Sequence, residues 1–142
     1  MLSQSPQYWL FKEEPTHYSF DQLVKDGRTA WDGITNSLAL KNLRSARTGD
    51  LAFFYQSGDV RSVVGIMKVV SDPYPDPKLG EGRFVVIDVM PERRLERPVM
   101  LNEIKGDQKL SKSDLVRLPR LSVMRVTKEA WDGILELARS RI

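Results

Sequence analysis

Apolar and polar positions along the chain change period several times, and each change predicts an element. Tyr8-Trp9-Leu10-Phe11-Lys12 is rich in aromatics and reads as a strand that Pro15 ends. Ser19-Phe20-Asp21-Gln22 has the spacing of a capping box, so a short helix follows and stops at Gly27. Asn36 or Ser37 can cap a second helix, with Ala39, Leu43 and Ala46 on one face and Gly49-Asp50 as its end. Leu51 to Gln56 is an apolar strand, Ser57-Gly58-Asp59 a turn, and Val63 to Val70 a strand of β-branched type. These two strands are expected to pair as a hairpin or near neighbours.

The segment from Ser71 to Gly82 reads as a loop. Pro73, Pro75 and Pro77 keep its backbone extended, and Tyr74 can anchor it to the body. Phe84 to Val89 is a further strand, Leu101 to Gly106 and Ser113 to Val116 are helical turns, and Ser122 to Val126 is a late strand. Thr127 caps a final helix in which Ala130, Trp131, Ile134, Leu135 and Ala138 form one apolar stripe. Short helices interspersed with mostly non-local strands predict an α+β fold around a compact curved sheet or small barrel. No internal repeat or linker interrupts the pattern, so 1–142 reads as one domain with 1–6 as a short tail.

Composition narrows the classes. The 142 residues hold 41% hydrophobic and 29% charged side chains, which is ordinary for a globular chain. There is no cysteine, which removes disulfides, thiolate zinc sites and cysteine nucleophiles. The first residues lack the basic start and apolar run of a signal peptide, and no stretch is long and apolar enough to cross a bilayer. The expected location is the cytoplasm, with no membrane partner and a monomeric state. The net charge of +3 weakly favours an anionic partner. Its distribution says more: Lys41, Arg44 and Arg47 share a helix side, Arg93, Arg94 and Arg97 cluster, and Lys105, Lys109, Lys112, Arg117, Arg120 and Arg125 enrich the last third.

The materials for catalysis are poor. His17 is the single histidine and sits in a loop before the first helix, so it reads as a surface or packing residue. No cluster of metal ligands is apparent and no serine occupies a nucleophile elbow. Gly80-Glu81-Gly82 lacks the strand and helix that frame a phosphate loop. The chain is therefore read as a binding module without metal or cofactor. Trp31-Asp32-Gly33-Ile34-Thr35-Asn36 joins an aromatic, a carboxylate, a flexible glycine and an amide in what reads as a structured loop. Trp9, Trp31 and Tyr55 are candidate walls for a flat heterocycle, while Trp131 reads as core and Trp9 suits core equally well. Lys12, Asn36, Ser57 and Ser122 lie where side chains converge and can read a ring edge, although capping and turn roles suit Asn36 and Ser57 singly.

Taken in order, Tyr8-Trp-Leu-Phe-Lys-Glu-Glu-Pro15, Trp31-Asp-Gly-Ile-Thr-Asn36, Gly49-Asp50-Leu-Ala-Phe-Phe-Tyr-Gln-Ser57, Val64-Gly65-Ile66 and Arg120-Leu-Ser-Val-Met124 resemble the EVE domain family of the PUA-like superfamily. The resemblance runs from about Tyr8 to the final helix. It implies a small curved β-barrel flanked by short helices, with a pocket at one mouth. It also implies recognition of a modified base in DNA or RNA, flipped out of its strand so that its faces and pairing edge are exposed. The matching positions are Lys12, Trp31, Asn36, Tyr55, Ser57, Arg120 and Ser122. On this resemblance Trp31 and Tyr55 pack on the base, Asn36, Ser57 and Ser122 read its edge, and Lys12 or Arg120 meets a phosphate or carbonyl.

The chain departs from the family at Thr35 and Gln56, where many members have arginine and histidine. It departs again at Ser37-Leu38-Ala39-Leu40-Lys41, where many carry tyrosine, glutamine, alanine, arginine and asparagine. These departures trim strand contacts and leave a second expectation open: a sensor of a small free metabolite or nucleotide in the same pocket.

Overall fold

The computed structural model describes residues 5–79 and 82–140. The expected tail falls largely on residues 1–4, and the Gly80-Glu81 pair on 80–81; both lie outside the described residues. The strands are β1 (Tyr8–Glu13), β2 (Thr29–Trp31), β3 (Leu51–Gln56), β4 (Ser62–Val69), β5 (Tyr74–Pro75), β6 (Val85–Met100) and β7 (Val123–Val126). The helices are α1 (Phe20–Asp26), α2 (Ser37–Arg44), α3 (Leu101–Gly106), α4 (Asp114–Arg117) and α5 (Lys128–Arg139). The strands form one curled mixed sheet in the order β2-β6-β4-β3-β1-β7, with β5 added along β6. This is the expected α+β fold around a curved sheet flanked by short helices, with the sheet curled into a half-barrel.

Two aromatic layers hold the sheet from its two faces. Residues alternate sides along a strand. On one side Phe53 stacks on Trp131 of α5 at 3.8 Å between ring centroids, and Tyr8 lies 4.7 Å from the same indole. On the other side Phe11, Phe54, Trp31 and Phe20 meet at 5.5 Å spacings. The parallel β1–β3 pair lies between, registered Tyr8 with Leu51 through Glu13 with Gln56.

That register is pinned by a buried carboxylate. Asp50 is 4% exposed. It accepts hydrogen bonds from the Gln7 backbone (3.0 Å), the Gln7 amide (3.0 Å), the Trp9 indole (2.9 Å) and the Arg47 backbone (2.8 Å). Trp9 is thereby a core residue, fully buried.

Gly65 marks a close approach. A Cβ there would lie 2.5 Å from the Phe20 ring. Gly65→Ala is expected to lower stability by about 1–3 kcal/mol, the usual range for overpacking. A denaturation midpoint equal to the parent's would contradict that reading of the Phe20 contact.

Several elements differ from the sequence expectation. Trp31 belongs to a short strand rather than a loop, and its side chain is 4% exposed. The strand begun near Phe84 does not end at Val89 but runs on to Met100. Pro91 is accommodated because it faces Met67 where the β4–β6 register shifts. Ser19 does cap α1, but the Gln22 side chain bonds Asp26 instead of reaching back. The second helix ends at Arg44, before Gly49. Tyr74 is the anchor expected for its loop. Its hydroxyl donates to Asp88 at 2.5 Å, and this bond pushes the phenol up to about 12.

The arginine cluster is largely ion-paired. Arg93 meets Glu96 at 3.3 Å, Arg94 meets Asp21 at 2.7 Å, and Arg97 meets Glu103 at 2.7 Å. These cations are part of the fold's own surface network. No described helix is long and apolar enough to cross a membrane.

Candidate functional site

The parallel strands β1 and β3 end side by side, which brings Lys12, Tyr55 and Ser57 to one end of the sheet. Opposite them stand α3 and α4. Together they enclose a cleft of about 340 Å³ lined by Lys12, Tyr55, Ser57, Arg61, Lys105 and Pro119, with Leu101, Leu115 and Val116 as apolar wall. That volume falls within the roughly 300–1,000 Å³ of small-ligand sites.

Tyr55 forms the floor rather than an open wall. It is 3% exposed, and burial raises its phenol pKa. The Lys12 ammonium lies 5.4 Å from the ring centroid and donates to the Pro119 carbonyl at 2.9 Å. Burial lowers the Lys12 pKa, because a desolvated ammonium is disfavoured. Ser57 is positioned by its backbone N–H, which donates to the Glu13 carbonyl at 3.0 Å.

Arg61 is the one described residue other than glycine with a left-handed backbone, at φ 44°. Such a conformation costs on the order of 1–3 kcal/mol outside glycine. Its carbonyl accepts from the Leu101 N–H at 2.9 Å, which ties the β3–β4 turn to the start of α3. Neither Arg61 nor Lys105 was foreseen as a site residue. A cation closing the Ser57-Gly58-Asp59 turn was the available signal for Arg61, and the basic last third held Lys105 without singling it out.

The other expected residues lie elsewhere. Trp31 packs on Phe11 and Phe54, and its remaining surface lines a separate cleft of about 190 Å³ with Glu13, His17, Tyr18 and Asp32. His17 is at the surface there, 3.0 Å from Glu13. Asn36 caps α2, its side-chain oxygen accepting from the Leu38 and Ala39 N–H groups at 3.1 and 3.0 Å. The Ser122 carbonyl accepts from the Lys12 N–H at 2.9 Å. Arg120 is exposed one residue beyond Pro119. Both therefore sit beside the Lys12 cleft without lining it.

What the cleft can do chemically follows from its lining. It presents two ammonium groups, a guanidinium, hydroxyls and an apolar wall, which suits holding a flat polar ring bearing a negative group. Among the described residues no group of three or more His, Asp or Glu side chains could hold a metal ion.

The model of the EVE domain matches residues 7–137. Thymocyte nuclear protein 1 of Rattus norvegicus is 30% identical over 92% of this chain and 73% of its own length. An NMR structure of a Rhodopseudomonas palustris protein superposes with a TM-score of 0.90 at 36% identity, covering 93% of this chain and 92% of that one. The crystal structure of human THYN1 in complex with DNA containing 5-methylcytosine superposes with a TM-score of 0.89 at 28% identity, covering 96% and 99%. The fold is thus PUA-like, and the chain belongs to the EVE domain family.

Proposed function

We propose that this chain is a non-catalytic module that recognises a modified nucleobase in DNA, and that the cleft beneath Lys12 receives the base. The observation that supports this most is the composition of the cleft: Lys12, Tyr55 and Ser57 converge there with two further cations and no carboxylate. The similarity to a relative crystallised with 5-methylcytosine-containing DNA supports the ligand class. A base can enter such a cleft only when turned out of its strand, which exposes its edge to Ser57 and the Lys12 ammonium. Pro119 holds the ammonium in place until a ligand carbonyl replaces it. Arg120 and Ser122 stand at the edge of this site, and Trp31 and Asn36 brace the sheet and α2 behind it.

A second reading is favoured by one observation. Arg93, Arg94 and Arg97 pair with carboxylates of the chain itself, which leaves fewer cations to follow a strand. A free nucleotide or small metabolite would then be the ligand.

Titration against matched oligonucleotides separates the two. DNA and RNA, each plain and with 5-methylcytosine, would be followed by fluorescence anisotropy at two salt concentrations. The expected result is preference for the modified DNA, with affinity falling steeply as salt rises through counterion release. Equal, salt-insensitive and weak binding to all four strands would contradict the DNA reading and favour the free ligand.

A further inference from the structure

We propose that Arg61 and Lys105 form a phosphate subsite at the Lys12 cleft, holding the phosphate of the nucleotide whose base the cleft receives. The inference rests on the base-binding reading for the ligand's other half, but on separate observations for the phosphate.

The first observation is charge. The lining of this cleft holds no carboxylate. Four further clefts include Asp114, Glu13 with Asp32, Asp107 with Glu136, or Asp59. Three cations therefore line one concave surface that holds no carboxylate, with Arg61 standing between it and the adjoining cleft that contains Asp59.

The second is pairing. Among the described residues neither Arg61 nor Lys105 forms an ion pair. Arg28, Lys78, Arg93, Arg94, Arg97, Arg117, Lys128 and Arg139 do, while other surface cations such as Lys41 and Lys109 do not; what sets Arg61 and Lys105 apart is that they share a cleft with Lys12. Lys12 has only a backbone carbonyl as partner. A phosphate in this cleft would meet positive charge from more than one side chain of its lining. A guanidinium also meets phosphate oxygens through two parallel N–H donors, with the lysine ammonium adding a point charge.

The third is backbone geometry. Glycine or asparagine adopts a left-handed conformation more readily than arginine does. The fold nevertheless holds Arg61 there, with its carbonyl fixed to Leu101. Strain of this kind gathers at ligand clamps. Arg61 lines the cleft from this strained position.

The phosphate can belong to a nucleic-acid strand or to a free nucleotide, and the test distinguishes the sources. Wild type, Arg61→Gln, Lys105→Gln and the double variant would be titrated with 5-methyl-2′-deoxycytidine, its 5′-monophosphate, and a DNA strand containing the modified base. Arg61→Gly serves as a second variant, because it relieves the backbone strain while removing the charge. Arg93→Gln, away from the cleft, is the control. Wild type is expected to bind the monophosphate at least about tenfold more tightly than the nucleoside, and the variants to lose that difference. If DNA is the source, the salt slope of DNA binding falls by about 1 in the variants while the preference for the modified base persists. If a free nucleotide is the source, the monophosphate effect appears and the DNA effect does not.

Equal binding of nucleoside and monophosphate by wild type, with an unchanged DNA salt slope in the variants, would overturn the subsite. A wild-type protein indifferent to base modification would instead sink the base-reading function. The subsite would then be judged by inorganic phosphate alone: a thermal upshift in wild type that the double variant loses supports it, and no upshift rejects it.

Discussion

Asp50→Ala is expected to lower the unfolding free energy by on the order of 3–5 kcal/mol. The carboxylate is buried and accepts from four N–H groups, on Gln7, Trp9 and Arg47. Removing it leaves those donors without their acceptor, and the buried Trp9 indole cannot turn to solvent. The effect reaches beyond one bond, because these donors join β1 to the start of β3 and to the exit of α2. Parallel pairing is slightly weaker per residue than antiparallel pairing, so this junction depends on its side chain. Asp50→Asn keeps one oxygen acceptor and is expected to recover part of the loss. Urea denaturation with unchanged slope measures both variants. A loss below about 1 kcal/mol for the alanine variant would contradict this role.

The second large effect separates stability from binding. Lys12→Met is expected to weaken modified-base binding about 10- to 150-fold, the equivalent of one charged hydrogen bond of about 1.5–3 kcal/mol. The same variant is expected to be at least as stable as the parent. Burial lowers the Lys12 pKa below 10.5, so the folded chain holds this proton less firmly than the unfolded chain does. The charged lysine therefore opposes folding at neutral pH. That penalty is relieved as pH rises through the lowered folded value towards 10.5, and stability rises across that window. Methionine keeps the aliphatic stem over Tyr55 and removes the penalty. Equal binding by parent and variant, or a large loss of thermal stability, would show that the ammonium is structural rather than a ligand contact.

Much of the fold was legible because its elements carry local signals. Ser19, Gly27, Asn36 and Thr127 mark helix ends by their own chemistry, and the structure uses each of them. The elements that were missed lack such signals. Thr29-Ala30-Trp31 is too short to show a period, and becomes a strand only because β6 runs alongside it. The far half of β6 holds Pro91, Pro98 and five charges, which read as loop until a register shift in β4 makes room for Pro91.

The site was legible in part for a similar reason. Lys12, Tyr55 and Ser57 sit in motifs at strand ends, and the parallel pairing of β1 with β3 places them together. Trp31 and Asn36 sit in an equally marked motif, yet one packs into the sheet's aromatic layer and the other caps a helix. Polar neighbours made Trp31 look exposed, but a strand turns alternate side chains inward regardless of them. Arg61 and Lys105 reach the cleft through the 57–61 turn and the packing of α3, and no local pattern encodes that meeting. The family resemblance implied a pocket at one mouth but not Arg61 and Lys105 in the lining of the Lys12 cleft.

Two clefts flank β1, and the proposed function requires that the base enter the one beneath Lys12. Backbone amide shifts of the labelled protein, recorded while a DNA strand containing 5-methylcytosine is added, would locate it. We predict that the largest changes fall at Ser57, Gly58, Arg61, Leu101, Lys105 and Val116, around the cleft beneath Lys12. Changes centred instead on Thr29, Ala30, Trp31 and Asp32, with the Lys12 cleft silent, would contradict it.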